Sequence, residues 1–276
     1  MARSFAEMND TSHFENLLVV DSLNLAFRYK HSNTRNFAAK YLETVRSLAK
    51  SYECGTIIIT ADLKGSSYRE GLYPEYKGNR KVLREKQTEQ EKEDFEDFFE
   101  DYIKALKLLE EAGFPILQYR GVEADDIAAF LVKYYSENYG HTWLISSDKD
   151  WDLLISDSVS RFSYVTRKEI SISNWEQHYD YTPEQHISVK VLQGDSGDNV
   201  PGVSGIGPKR AITLLRDYDS AMDIYDALPI DQKYKYIQNL NAFGDQLLLN
   251  YELMDLLTYC EEAIGEDNIQ DIESRL

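Results

Sequence analysis

The sequence is poor in the residues that lock small folds together. Its 2 cysteines, Cys54 and Cys260, lack any CxxC-type spacing, which excludes a zinc ribbon and a disulfide framework and leaves two reduced thiols. Long apolar runs are missing too. Leu17–Val20 and Ile57–Ile59 are far too short to cross a bilayer, and no basic segment followed by an apolar core opens the chain. A cytoplasmic location is the expectation. Cations are outnumbered, with 30 Lys and Arg against 48 Asp and Glu and a net charge of −18. Spread evenly, that charge argues against a nucleic-acid partner, because such partners are held by Lys and Arg on phosphates. Gathered in one place, it describes a metal site instead.

With 276 residues, 42% hydrophobic and 12% aromatic, the chain can bury one large core or two modest ones. Residues 1–16 are polar and aperiodic and read as a flexible N-terminal tail, the fold starting at Leu17. "NLLVVD", "TIIITAD" and "HTWLISSD" are short β-rich runs ending in Asp21, Asp62 and Asp148. Ala39–Lys50 reads as a helix, and another begins after Gly121, with Ile127, Phe130, Leu131 and Tyr134 on one face. Strands alternating with helices predict an α/β fold, a mostly parallel sheet flanked by helices on both faces. Ligands of such sheets bind beyond the carboxyl ends of the strands, so three strands ending in aspartate bring three acids to one edge. Thr88–Ala112 reads as a long amphipathic helix stopped by Gly113 and Pro115, its aromatic stripe serving packing. After about residue 180 the pattern is helical: His186–Gly194, Pro208–Arg216 and Ser220–Leu228, with Ser220 as an N-cap.

The acids group at Asp21, Asp62, the cluster Glu123, Asp125 and Asp126, then Asp148 and Asp150, then Asp195 and Asp198. Asp126 shares a helix face with Glu123 and lies beside Asp125. Asp148 and Asp150 are two apart on an extended strand end, and Asp195 and Asp198 are three apart on a helical turn. Each group has a plainer reading, as a partner of a helix dipole or as a turn or cap residue. Together, however, these nine carboxylates equal half the excess negative charge, and unneutralised they would repel one another. Oxygen ligands without His or Cys suit a hard cation, Mg²⁺ or Mn²⁺.

Two further stretches stand out. "YKGNRKVLREK" (residues 76–86) carries five cations, Lys77, Arg80, Lys81, Arg84 and Lys86, against Glu85 alone, a basic island in an acidic chain. Gly202, Gly205 and Gly207 spell GxxGxG, with no preceding strand and no GK[ST], which fits neither a dinucleotide loop nor a Walker A motif. Two helices joined by a tight turn remain, with Pro208 at the first helical position and Lys209 and Arg210 just inside. Its backbone N–H groups can grip a phosphate, or the glycines simply make the turn.

In order along residues 17 to 260, "VDSLN", "PEYKGNR", "GVEADD", "SSDKDWD", "GDSGDN" and "GVSGIGPKR" resemble the structure-specific 5′-nucleases, most closely the flap endonucleases (5′-3′ exonucleases) of T-five-type bacteriophages. The resemblance implies a PIN-like core over residues 17–180, a helical arch at about 74–112 and a helix-three-turn-helix region over 181–276. It implies that all nine acids bind metal, two Mg²⁺ per site with Mn²⁺ able to substitute, and that Asp21, Lys77 and Arg80 act in catalysis, the latter two at the scissile phosphate. Arg28, Lys30 and His31 then meet single-stranded DNA, as Tyr76, Lys81 and Arg84 meet the substrate, and Gly202, Gly205, Gly207, Lys209 and Arg210 grip duplex. The family's glycine after the first aspartate is Ser22 here, and Lys149 replaces a smaller residue; neither removes a ligand. The implied function is cleavage of 5′-flapped or branched DNA near strand junctions by two metal ions, leaving 5′-phosphate and 3′-hydroxyl ends, in phage DNA replication. The expectation extends to a monomer in the host cytoplasm, with any polymerase supplied in trans. A PIN-like ribonuclease and a non-catalytic helix-hairpin-helix DNA-binding protein are the alternatives.

Overall fold

β1 (Asn16–Asp21) is apolar on both sides, with Leu17, Leu18, Val19 and Val20 all fully buried, the pattern of a strand inside a parallel sheet. A computed structural model describes residues 15–276, apart from the side chains of Lys81 and Arg84. After β1 come α1 (Ser22–His31), α2 (Ala38–Ser51), β2 (Cys54–Leu63), α3 (Ser67–Leu72), α4 (Gly78–Glu85), α5 (Glu89–Glu111), β3 (Ile116–Arg120), α6 (Ala124–Tyr135) and β4 (Thr142–Ile145). β5 (Val159–Ser163), β6 (Lys168–Ile170), α7 (His186–Gln193), α8 (Pro208–Tyr218), α9 (Ala221–Asp226), α10 (Lys235–Asn241), α11 (Gly244–Met254), α12 (Leu256–Ile264) and α13 (Glu266–Arg275) complete the order.

The described chain divides into two compact units. The first holds the residues up to Ser66, Thr88–Ile172 and Cys260–Leu276; the second holds Ser67–Gln87 and Ser173–Tyr259. In the first, the strands run β3-β2-β1-β4-β5-β6, parallel except for β6, which returns antiparallel on β5. The sheet is therefore mixed at one edge, because the short turn between β5 and β6 leaves no room for a crossover helix. Winding reverses between β1 and β4, which places the switch-point crevice beyond their carboxyl ends. One face is covered by α1, α2 and α5, whose Tyr41, Val45, Phe98, Tyr102 and Leu109 pack on β1 and β2. Burial pushes the Cys54 thiol up to about 12 and that of Cys260 up to about 11, so both stay protonated and unreactive.

α5 begins where the sequence predicts. Thr88 accepts from the Glu91 N–H, and Glu91 accepts from the Thr88 N–H, a complete capping box. Thr88→Ala leaves the Glu91 N–H to water and lowers the melting temperature by about 2–4 °C; a calorimetric scan checks it, and an unchanged midpoint would refute the cap's contribution.

The second unit has its own core, in which Val189, Val191 and Leu192 of α7 meet Leu214 and Leu215 of α8, Ile224 of α9, Ile237 and Leu240 of α10, and Leu247 and Leu253 of α11. α9 starts as expected, with Ser220 accepting from the Asp223 N–H. Among the described residues, no helix is long and apolar enough to cross a membrane.

Two expectations are corrected. β4 stops at Ile145, so Asp148 does not end the strand; it N-caps a short 3-10 helix (Lys149–Leu154), which contains Asp150. The two acids are thus not alternate residues of an extended segment. Asp195 and Asp198 do not occupy a helical turn either. Gly194, at φ +71°, ends α7, and the chain enters a loop closed by reciprocal Asp195–Val200 backbone hydrogen bonds.

Candidate active site

The acids of the first unit gather from different elements at the crevice. Asp21, the last residue of β1, N-caps α1 by accepting the Asn24 N–H at 3.1 Å, and Ser146 donates its hydroxyl to the other carboxylate oxygen at 2.7 Å. Ser146 also accepts the Asp148 N–H, and its carbonyl is held by Arg161 at 2.8 Å. Arg161 is itself buried and paired with buried Asp152, with Nη2 2.9 Å from Oδ2. A buried guanidinium thus fixes the serine that fixes Asp21. Asn24 accepts the Ser147 N–H at 2.8 Å, which ties α1 to the segment after β4. Ser22, at the family's glycine position, is buried with its hydroxyl 2.6 Å from that of Tyr102.

Asp62, on β2, accepts the Ala124 N–H at 2.7 Å and so lies at the positive end of α6. Glu123 is the N-cap residue there, and Asp125 and Asp126 fill the first turn. The plain capping role weighed for these acids therefore falls to Asp62, reaching over from the neighbouring strand. Asp125 accepts from the Trp151 indole at 2.6 Å, while Glu123 and Asp126 are buried. The charge of Asp126 is felt at Cys260.

Electrostatics reveal how close three of these acids come. Burial first, then Asp62 and, more weakly, Asp148 raise the Asp21 carboxyl, the hydrogen bonds from Ser146 and Asn24 only partly offset the rise, and the net result is a pKa of about 7. The two charged groups that act most strongly on Asp21 are both acids. Asp21, Asp62 and Asp148 are thus brought together by β1, β2 and the segment after β4.

The second unit carries an acid pair of its own, Asp195 and Asp198. Asp195 Oδ1 accepts the N–H groups of Gly197 at 2.7 Å and Asp198 at 3.2 Å, an Asx turn that sets the loop. Burial raises the Asp195 carboxyl, but Lys190 of α7, 3.5 Å away, and those N–H groups outweigh it, so its pKa is lowered. Asp198 receives the Tyr76 hydroxyl at 3.0 Å, Arg80 at 2.6 Å and Lys77 at 3.6 Å. Backbone geometry enforces this, since the Lys77 N–H donates to the Asp198 carbonyl at 2.8 Å and Lys77 itself adopts φ +54°. Asn79 donates to the Ser196 carbonyl at 2.8 Å. The start of the basic island is therefore laced to the Asp195–Asp198 loop.

The glycines divide their labour. A Cβ on Gly202 would lie 1.8 Å from the Gln193 carbonyl, and one on Gly194 would lie 2.3 Å from the Gly202 nitrogen, so here two backbones pass in contact. Gly205 takes φ +87°, and Gly207 N-caps α8 with Pro208 at the first position. Lys209 is exposed, whereas Arg210 reaches back to the Gly205 carbonyl at 2.5 Å and lies 4.7 Å from the Tyr236 ring centre. In the first unit, Lys30 lies 3.7 Å from the Phe95 ring centre, its ammonium lowered by burial. Arg28 lies 3.9 Å from that of Tyr164, and His31 is exposed. The side chains of Lys81 and Arg84, and residues 1–14 of the expected tail, lie outside the described residues.

Sequence reasoning missed Ser146, Arg161, Asp152, Trp151 and Lys190. Ser146, Trp151 and Asp152 lie within a motif, "SSDKDWD"; Arg161 and Lys190 carry no local signal.

Comparison with known proteins completes the picture. Residues 16–184 match the 5′-3′ exonuclease N-terminal resolvase-like domain, and residues 181–274 match the 5′-3′ exonuclease C-terminal SAM fold. The flap endonuclease of Escherichia phage T5 is 48% identical over 91% of this chain and 86% of its own. The 5′-3′ exonuclease of Halalkalibacterium halodurans is 30% identical over 90% of this chain and 86% of its own. The crystal structure of the phage T5 flap endonuclease in a pseudo-enzyme-product complex with DNA and metal ions superposes with a TM-score of 0.90 at 45% identity, covering 94% of this chain and 98% of that one. Both halves of the chain, in sequence and in fold, give one answer: it belongs to the 5′-3′ exonuclease family of nucleases, the family that includes the flap endonucleases.

Proposed function

We propose that the chain cuts 5′-flapped or branched DNA next to the junction with duplex, using two divalent metal ions and leaving 5′-phosphate and 3′-hydroxyl ends, in phage DNA replication. The observation that carries this is the meeting of Asp21, Asp62 and Asp148, with a buried Asp21 carboxyl raised to about 7 by burial and by its two acidic neighbours. A divalent ion relieves that repulsion, and an all-carboxylate donor set fits Mg²⁺ or Mn²⁺. Glu123, Asp125, Asp126, Asp150, Asp195 and Asp198 are assigned as further ligands by the resemblance. The relatives support the reading, since the T5 enzyme is known with DNA and metal ions.

When bound, such ions activate a water and stabilise the leaving oxygen. The chain's own groups do the rest. Ser146 and Asn24 keep Asp21 in one orientation, so its oxygens are preorganised. Lys77 and Arg80, parked on Asp198, provide a compact ammonium and a planar guanidinium for the charge that develops on the phosphate. At the hairpin, the N–H groups at the start of α8 and Lys209 hold the duplex backbone, which sets position without reading sequence.

The test is a 5′-flap oligonucleotide labelled at its 5′ end, incubated with Mg²⁺ or with EDTA. Cleavage only with Mg²⁺, releasing the flap with a 3′-hydroxyl and leaving a ligatable 5′-phosphate, is expected; cleavage in EDTA or a 3′-phosphate would contradict it. Lys209→Glu combined with Arg210→Glu weakens duplex binding and reduces the slope of log K against log salt by about 2. Titration between 50 and 200 mM salt measures it, and an unchanged slope would remove the hairpin from the interface.

A further inference from the structure

Ser146 and Asn24 hold the carboxylate of Asp21, and two tyrosines hold the residue that follows it. Ser22, the first residue of α1, is fully buried. Tyr41 of α2 donates its hydroxyl to the Ser22 carbonyl at 2.8 Å, and the Tyr102 hydroxyl of α5 lies 2.6 Å from the Ser22 hydroxyl. The second contact is at the close end of the range for paired hydroxyls. Tyr41 and Tyr102 are themselves buried, so water does not compete for either bond. Main chain and side chain of one serine are thus each tied to a different helix.

These phenols also lie beside the acids. Burial, and after it the charges of Asp62 and Asp21, raises the Tyr102 phenol above its ordinary range, and the hydrogen bond with Ser22 offsets only part of the rise. Burial, Tyr102 and then Asp21 raise Tyr41 in the same way. Both stay protonated and neutral at physiological pH. A lysine or arginine in their place would pair with Asp21 and compete with a divalent ion for its oxygens. A neutral hydroxyl fixes the chain next to the acid and leaves the acid's charge free.

We propose that Tyr102 is a positioning residue for the metal-dependent reaction, acting through Ser22 to hold the main chain from which Asp21 projects. Ser146 and Asn24 orient the carboxylate about its own bonds; the Tyr102 and Ser22 hydroxyls fix the start of α1 against α5, a helix of 23 residues. As packing alone the pair has no advantage, since apolar side chains of the same shape would leave no polar group to satisfy. Tyr102 belongs to the aromatic stripe of α5, which the sequence presents as packing. Glycine, the family's residue after the first aspartate, offers no hydroxyl, so the device belongs to this chain, with Ser22 in that place. The inference rests on the reading of the acids as metal ligands.

The experiment measures Mn²⁺ binding without DNA, by loss of the free ion's electron paramagnetic resonance signal, and single-turnover flap cleavage in Mg²⁺. The proteins are the parent, Tyr102→Phe, Ser22→Ala and the double variant. Phenylalanine keeps the ring and its stacking on Phe98, and alanine keeps the helix start. Each single variant is expected to bind Mn²⁺ about 10-fold more weakly and to cut more slowly by a similar factor, with the substrate dissociation constant unchanged, as when an outer support of a metal ligand is lost. The double variant should be no weaker than either single one, because both changes remove the same bond. Parental Mn²⁺ affinity and cutting rate in Tyr102→Phe, even with a lowered melting temperature, would make Tyr102 a packing residue and overturn the inference. Losses that multiply in the double variant would overturn the pairing with Ser22. Either result, with a parent that binds Mn²⁺ and cuts, leaves the nuclease reading standing; a parent that binds no Mn²⁺ and cuts no flap removes that reading and the inference together.

Discussion

Asp21→Asn is expected to abolish flap cleavage and yet make the metal-free protein more stable at neutral pH. The carboxyl is buried, faces Asp62 and Asp148, and titrates at about 7 instead of the ordinary 3.8. Between those values the folded protein retains a proton that the unfolded chain has released. Stability contributed by the protonated group is therefore complete below about pH 4 and is lost as pH rises through about 7. Asparagine keeps the shape, still accepts the Asn24 N–H, and removes the charge. In EDTA the melting temperature of the parent should fall between pH 5 and pH 8, and that of the variant should fall less. The difference at pH 8 is on the order of a few kcal/mol in favour of the variant, from a shift of roughly three units. Single-turnover cleavage in Mg²⁺ should drop by about 10³-fold or more, since the ligand charge is gone. Opposite signs for stability and activity mark a group kept for function at the expense of the fold. A variant that melts below the parent at pH 8 in EDTA, or that cuts at the parental rate, would contradict the role given to Asp21.

Lys77→Ala should lower the single-turnover rate by about 10²–10³-fold while changing substrate affinity only a few-fold. Lys77 occupies a left-handed backbone conformation beside the Asp195–Asp198 loop, with its ammonium 3.6 Å from Asp198. Alanine preserves that loop, because the Lys77 N–H still bonds the Asp198 carbonyl and Arg80 and Tyr76 still hold the carboxylate. Lost turnover with retained binding identifies charge stabilisation in the transition state. If the loss were instead confined to the dissociation constant, Lys77 would be a binding residue and not a catalytic one.

What the sequence made legible was whatever a short window could express. β1 and β2 announced themselves as continuous apolar runs, because both faces of each are buried, and Asp21 at the end of β1 and Asp62 one residue before the end of β2 followed. α5 was bounded by Gly113 and Pro115, and α8 by Pro208, all local signals. The approach of three acids was legible, since β-rich runs leading to Asp21, Asp62 and Asp148 place them at one edge of a parallel sheet.

Other features depend on contacts that no window contains. β6 has three residues and pairs only with β5, so no period could reveal it. The end of β4 was misplaced because "LISSD" reads as extended, whereas Asp148 accepts the Asp150 N–H and turns the chain into a 3-10 helix. A spacing of three suggested a helix for Asp195 and Asp198, but Gly194 had already ended it, and the same spacing serves an Asx turn. Arg161 and Lys190 matter through side chains reaching to other elements, and sequence distance hides that. Gly202, which resembled a phosphate-gripping residue, is required first for backbone contact with Gln193.

The most direct measurement is an anomalous difference map from crystals grown with Mn²⁺. A strong peak within coordination distance of the Asp21, Asp62 and Asp148 carboxylates is predicted, and it should vanish in the Asp21→Asn, Asp148→Ala double variant. Ordered carboxylates with no manganese between them, in a protein that still cuts flapped DNA, would contradict the claim that these acids hold the metal.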